Sequence, residues 1–222
     1  LTSLSQRSSF HSIQSCEIQF FLNWTRSRKS RDPAGLIFLI PRDLEFTISS
    51  RDCIPYPQHT VPTLIDDDFI LGDSHAISLY LINKYAKDDS LYPSDPKLRA
   101  IVDQRLHFDS GILFPVAKYG FGQVVFQGRT KMTDDAVEKI ISAYEFADQF
   151  ATKTWLAGEQ FTIADICCVA TISSLNNLVP IDAQKYPRLY AWLERCSELD
   201  IYKKKNAPGN KEIGEIFKSK LA

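Results

Sequence analysis

Residues 57–64 read PQHTVPTL and residues 73–77 read DSHAI. Taken singly, each has an ordinary explanation. Asp73-Ser74 ahead of an apolar period is a good helix N-terminus, and capping alone accounts for it. Val61-Pro62 is a plain entry to a strand, since most X-Pro bonds are trans. Together, at this spacing, they say more. A strand with an open backbone edge beside a helix N-terminus grips an extended, peptide-like ligand in two ways. The edge pairs with the ligand's main chain, and the helix amides with a serine hydroxyl hold its carboxylate.

The surrounding sequence supplies the frame for that pair. Apolar runs at residues 35–40, 44–48 and 60–65 are broken by prolines. Asp66-Asp67-Asp68 is a polar turn, after which Phe69-Ile70-Leu71 returns as a strand. From Ser74 the period lengthens, and Ile77, Leu81 and Tyr85 line one helix face. Residues 87–90, followed by Pro93 and Pro96, form a polar, proline-punctuated linker. We therefore expect two domains, residues 1–87 and 95–222.

Everything beyond Pro96 reads as helix. Leu98, Val102, Leu106 and Leu113 make one stripe, and Ile101, Phe108 and Ile112 a second, which predicts a helix wedged between neighbours. Gly120 and Gly122 each weaken a helix by about 1 kcal/mol, and Pro115 adds a kink. Val137, Ile140, Ile141, Tyr144, Ala147 and Ala151 form an amphipathic helix behind Thr133-Asp134. In FTIADI, residues 161–166, Thr162 and Asp165 make a capping box with Phe161 and Ile166 at the staple positions. That motif folds the domain and does no chemistry. Pro180 should end this helix. Pro187 opens another whose apolar side is Leu189, Trp192, Leu193 and Cys196.

Composition narrows the function. A formal charge of -1 generates no global field for nucleic acid or anionic lipid. The basic clusters Arg26-Ser27-Arg28-Lys29 and Lys203-Lys204-Lys205 read as solvated surface. No apolar run is long enough to span a bilayer, and the first residues show no secretory pattern. Five scattered cysteines without a CxxC argue against a disulfide framework or a zinc site and fit a reducing cytoplasm.

The ordered set PQHTVPTL, DSHAI, DDSLYP, DQRLHFDSGILF, FTIADI, TISS and YPRLYAWLER resembles the cytosolic glutathione transferases of the insect epsilon class, in the delta/epsilon group. It covers about three-quarters of the chain. The resemblance implies an α/β thioredoxin-like N-terminal domain followed by an all-α C-terminal domain. It also implies a cytoplasmic homodimer that conjugates glutathione to apolar electrophiles in xenobiotic detoxification, with no metal and no nucleic-acid or membrane partner. Site roles follow by position. Val61 would pair through its backbone with the cysteinyl unit of glutathione, and Pro62 would be cis. Ser74 would bind the γ-glutamyl carboxylate and Asp73 the γ-glutamyl ammonium. His59 would lie near the glycyl end and the sulfur. His75 would meet its symmetry mate across the dimer axis. The electrophile would lie against Phe114, Ala117, Phe121, Val125, Phe126 and Ile213.

Before Pro57 the resemblance stops. Members of the family activate the thiol with an N-terminal serine, usually followed by proline. At the matching distance stands Ile18, with Ser15 the nearby hydroxyl and Cys16 the nearby thiol. Three accounts are open. The segment is a misread coding region; or it is a genuine divergent one, giving a non-catalytic glutathione-binding or dimerisation protein; or Cys16 acts as a nucleophile, without the proline typical of such sites. Loss of one donor at a developing anion costs on the order of 10²–10³ in rate, so slow conjugation is expected of the chain as written.

Overall fold

The structure, a computed structural model, describes residues 57, 58 and 62–221 and the backbone of residues 45–47. The described strands are β1 (Glu45–Thr47), β2 (Thr63–Asp66) and β3 (Phe69–Gly72). They form one antiparallel sheet in the order β1-β2-β3, with Phe46 opposite Leu64 and Leu64 opposite Leu71. The predicted run at residues 35–40 lies outside the described residues. Asp67 turns the β2–β3 hairpin at φ 55°, a left-handed conformation that aspartate tolerates better than most residues.

Helix α1 (Ser74–Tyr85) covers the sheet, as its 3.6-residue period predicted. Leu64 from β2 and Ile77 and Leu81 from α1 form a small, fully buried core. Tyr80 and Lys84 both donate to the Asp66 carboxylate, tying the helix to the end of β2.

The second core is larger and entirely helical. Helix α2 (Pro96–Phe108) begins with proline in its first turn, capped by Asp95, which accepts from the Lys97 and Leu98 amides at 3.1 and 2.9 Å. It runs through a π turn, Asp109–Leu113, into α3 (Phe114–Phe121), and a second π turn, Gly122–Phe126, follows. The wider π turn makes room for Pro115, which lacks the amide an α-helix needs there and would crowd the preceding turn. One expectation fails along α2. Val102, Leu106, Phe108 and Leu113 are buried, but Leu98, Ile101 and Ile112 are 46%, 37% and 39% exposed. The helix is not wedged: among the described residues no element covers that side.

Helices α4 (Asp134–Phe150), α5 (Ile163–Asn176) and α6 (Pro187–Glu198) build the rest of the core, with α7 (Ala207–Lys220) behind a π turn at Tyr202–Asn206. Helix α5 is buried on nearly every face. Its capping box forms as predicted, the Thr162 amide donating to Asp165 Oδ2 at 3.0 Å. Asp165 Oδ1 also accepts from the Leu156 amide and from Trp192 Nε1, each at 2.9 Å. Burial pushes the Asp165 carboxyl above its usual range, against the pull of these donors. Helix α5 ends at Asn176, ahead of Pro180, where Asn176 Oδ1 takes the Ile181 amide at 2.8 Å. The predicted apolar side of α6 is buried throughout. No described helix is long and apolar enough to cross a membrane.

Candidate functional site

The mouth of α1 lies where β3 ends. Asp73 sits at φ 75°, a left-handed turn from strand into helix, and its side chain caps the helix. Oδ1 accepts from the amides of His75 and Ala76, both at 3.0 Å. The Asp73 carbonyl takes the Ile77 amide at 2.9 Å. Of the first-turn donors this leaves the Ser74 amide and hydroxyl without a partner among the described residues. Ser74 is half-buried, and its carbonyl is held from behind by Ser78 Oγ at 2.7 Å. A half-buried hydroxyl and amide on a helix N-terminus are chemically able to hold a carboxylate, because the partial positive charge of the helix end adds to both hydrogen bonds.

Pro62 is buried at the entry to β2. His59 and Val61, and the thiol-activation candidates Ser15, Cys16 and Ile18, lie outside the described residues. His75, expected at a subunit interface, has its Nε2 donating to Asp109 Oδ2 at 2.9 Å within the same chain. Asp109 was not singled out by the sequence. It stands at the start of the π turn, brought beneath α1 by tertiary packing alone, so no local pattern announces it.

The six apolar candidates divide by depth. Ala117, Phe121, Val125 and Ile213 are buried in the helical core, while Phe114 and Phe126 are half-buried. Phe121 packs on Phe217 with ring centroids 5.0 Å apart, joining α3 to α7. Phe217 was missed, although it follows Ile213 by one helical turn and lies on the same buried face. Among the described residues no group of three or more His, Cys, Asp or Glu side chains could hold a metal ion.

The chain is similar to known proteins over most of its described length. The N-terminal domain of glutathione S-transferases matches residues 54–89, and the C-terminal domain matches residues 103–200. Glutathione S-transferase 1 of Manduca sexta is 61% identical over 167 residues, 75% of this chain and 77% of that protein. Among solved structures, an epsilon-class glutathione S-transferase from the housefly, Musca domestica, superimposes with a TM-score of 0.71 at 40% identity. It covers 75% of this chain and 78% of its own. A glutathione transferase homologue from Drosophila mojavensis, solved with bound glutathione, gives 0.71 at 44%, covering 74% and 76%. The chain belongs to the glutathione S-transferase family. It has that family's fold, a thioredoxin-like domain followed by a helical one, and is a transferase whose relatives are insect epsilon- and delta-class enzymes. The non-catalytic reading is not favoured by these matches.

Proposed function

We propose that the chain transfers glutathione to apolar electrophiles, holding glutathione at the mouth of α1 and the electrophile against the α3–α7 wall. The observation that carries this is Ser74, whose amide and hydroxyl have no partner among the described residues and which opens a helix capped by Asp73. They fit the γ-glutamyl carboxylate, and the second Asp73 oxygen, not engaged in capping, fits the neighbouring ammonium. The family resemblance gives Val61 and Pro62 to the cysteinyl unit and His59 to the glycyl end. Phe114 and Phe126, half-buried, together with the buried Ala117, Phe121, Val125 and Ile213, suit a hydrophobic second substrate. Such a site works by proximity and by raising the thiolate fraction of a thiol whose free pKa is about 8.5.

The domain division at residues 87 and 95 belongs to this reading, as does a homodimer. Leu98, Ile101 and Ile112 on the α2 side and Phe69 and Ile70 on β3 present apolar surface that a second copy would cover. A reducing, cytoplasmic setting suits Cys167, Cys168 and Cys196, none of which is in a disulfide.

Ser74→Ala tests the site. The change removes one charge-assisted hydrogen bond, worth roughly 1.5–3 kcal/mol, so affinity for glutathione should fall on the order of 10- to 100-fold. Calorimetry with glutathione, beside turnover of a nitroaryl halide, measures both consequences. Undiminished affinity in the variant would place the carboxylate elsewhere.

A further inference from the structure

We propose that Cys167 is a covalent modification site for small disulfides, built by the chain Asp109–His75–Cys167 where α1 meets α5. Three separate segments converge there. His75 is the second residue of α1, Asp109 opens the π turn after α2, and Cys167 lies on α5. The imidazole donates from Nε2 to Asp109 Oδ2 at 2.9 Å and is also hydrogen-bonded to Cys167. Cys167 is half-buried and is not in a disulfide.

Asp109 anchors the cluster. Its side chain is almost wholly buried, and its Oδ1 has no partner among the described residues. A carboxylate so placed is costly unless a cation stands beside it. His75 supplies that cation. Burial opposes its charge, but Cys167 and Asp109 outweigh burial and hold the imidazole above its ordinary range. An imidazolium within hydrogen-bond reach of a thiol favours the thiolate, which is the nucleophilic form.

Other charged groups around the pair set its limits. Asp73 Oδ1 is 3.9 Å from His75 Nδ1 on the α1 side. Arg105 on α2 and Asp165 on α5, with Asp109 and Cys167, act on the adjoining Cys168 thiol. Cys168, next in sequence, provides the contrast. It is fully buried, its sulfur donates to the Arg105 carbonyl at 3.6 Å, and burial pushes its thiol up. Of the two adjacent cysteines, one is half-buried beside an imidazole and the other is sealed in the core.

The step is thiol–disulfide exchange. The Cys167 thiolate attacks one sulfur of glutathione disulfide, whose S–S bond breaks as the new bond to Sγ forms. The electron pair leaves on the other sulfur, and the departing thiolate takes a proton from the His75 imidazolium or from water. One disulfide is consumed and one mixed disulfide is made, so no further oxidant is required.

The full-length protein is incubated with glutathione disulfide near neutral pH and digested, and Cys167 and Cys168 are distinguished by fragmentation of their shared peptide. The expected result is a glutathionyl group on Cys167 and none on Cys168. In parallel, the pH profile of alkylation at Cys167 by iodoacetamide should have its midpoint below the ordinary thiol value of about 8.5. In His75→Gln the midpoint should rise toward that value, with labelling at pH 6.5 slowed about tenfold or more. Equal labelling of the two cysteines, or an unchanged profile in His75→Gln, overturns the proposal. If His75→Gln does not fold, the wild-type midpoint decides alone: a value at or above about 8.5 overturns it, and a lower one supports it.

Discussion

Asp148 caps a helix to which it does not belong. It lies near the end of α4, yet its Oδ1 accepts the amides of Arg188 and Leu189 in the first turn of α6, both at 2.9 Å. Its Oδ2 takes Arg188 Nε and Nη2 at 3.0 and 2.8 Å, a two-pronged pair. Burial resists the charge, but these amides and the guanidinium win, and the carboxyl is held below its usual range. A folded-state pKa below the unfolded value of about 3.9 means stability that is complete above that value. It is lost as pH falls through the lowered folded pKa. Asp148→Asn should therefore cost roughly 1.5–3 kcal/mol near pH 7, and the gap from wild type should close below about pH 4. Urea unfolding at pH 7 and pH 3 measures both. A gap as wide at pH 3 would mean that the loss is one of packing. At this scale the sequence was readable only where partners are close in sequence. The Thr162–Asp165 box could be read at sight, whereas Asp148 and Arg188 stand forty positions apart and nothing local pairs them.

Glycines 120 and 122 were expected to loosen the α3 region, and the structure separates them. A Cβ built on Gly120 would stand 3.1 Å from Leu178 Cδ1 and 3.6 Å from Ile140 Cδ1, so this glycine allows close helix packing. A Cβ on Gly122 would meet nothing within 4 Å, and its φ and ψ of -56° and -40° suit any residue. Gly122→Ala should thus stabilise the protein by about 0.5–1 kcal/mol, chiefly by restricting the unfolded chain. Gly120→Ala should gain less, because Leu178 must shift to admit it. Thermal unfolding of the two variants compares them, and a larger gain at 120 would refute the distinction. Helix positions and apolar faces were legible here because a 3.6-residue period survives in α1, α4 and α6. The two π turns that flank α3 were not, since one extra residue per turn leaves no signature beyond the nearby Pro115. The depth of Phe121 and Ile213 was equally hidden, because a phenylalanine lining a pocket and one filling a core look alike in sequence.

On the scale of the whole molecule, the exposed side of α2 is what a single chain leaves unfinished. Ile101→Glu would place a carboxylate in the proposed subunit contact, at a cost of about 3 kcal/mol or more if buried without a partner. If the proposed contact holds, sedimentation velocity should show a dimer for the parent and a monomer for the variant, with helical content unchanged by circular dichroism. A dimer of undiminished affinity would move the contact elsewhere. The family and its two-domain order were legible because seven motifs recur in sequence order, and the relatives match the same three-quarters share of the chain. The expectation of a wedged α2 failed for the complementary reason, since hydrophobicity marks a face for burial without saying whose surface buries it. Asp165 gathers the Leu156 amide, the start of α5 and the Trp192 indole of α6 onto one carboxylate. A loop and two helices that share a single anchor cannot fray one at a time. The helical domain should open there as one cooperative unit, protected to nearly the same degree in all three segments, while its outer helix ends breathe freely.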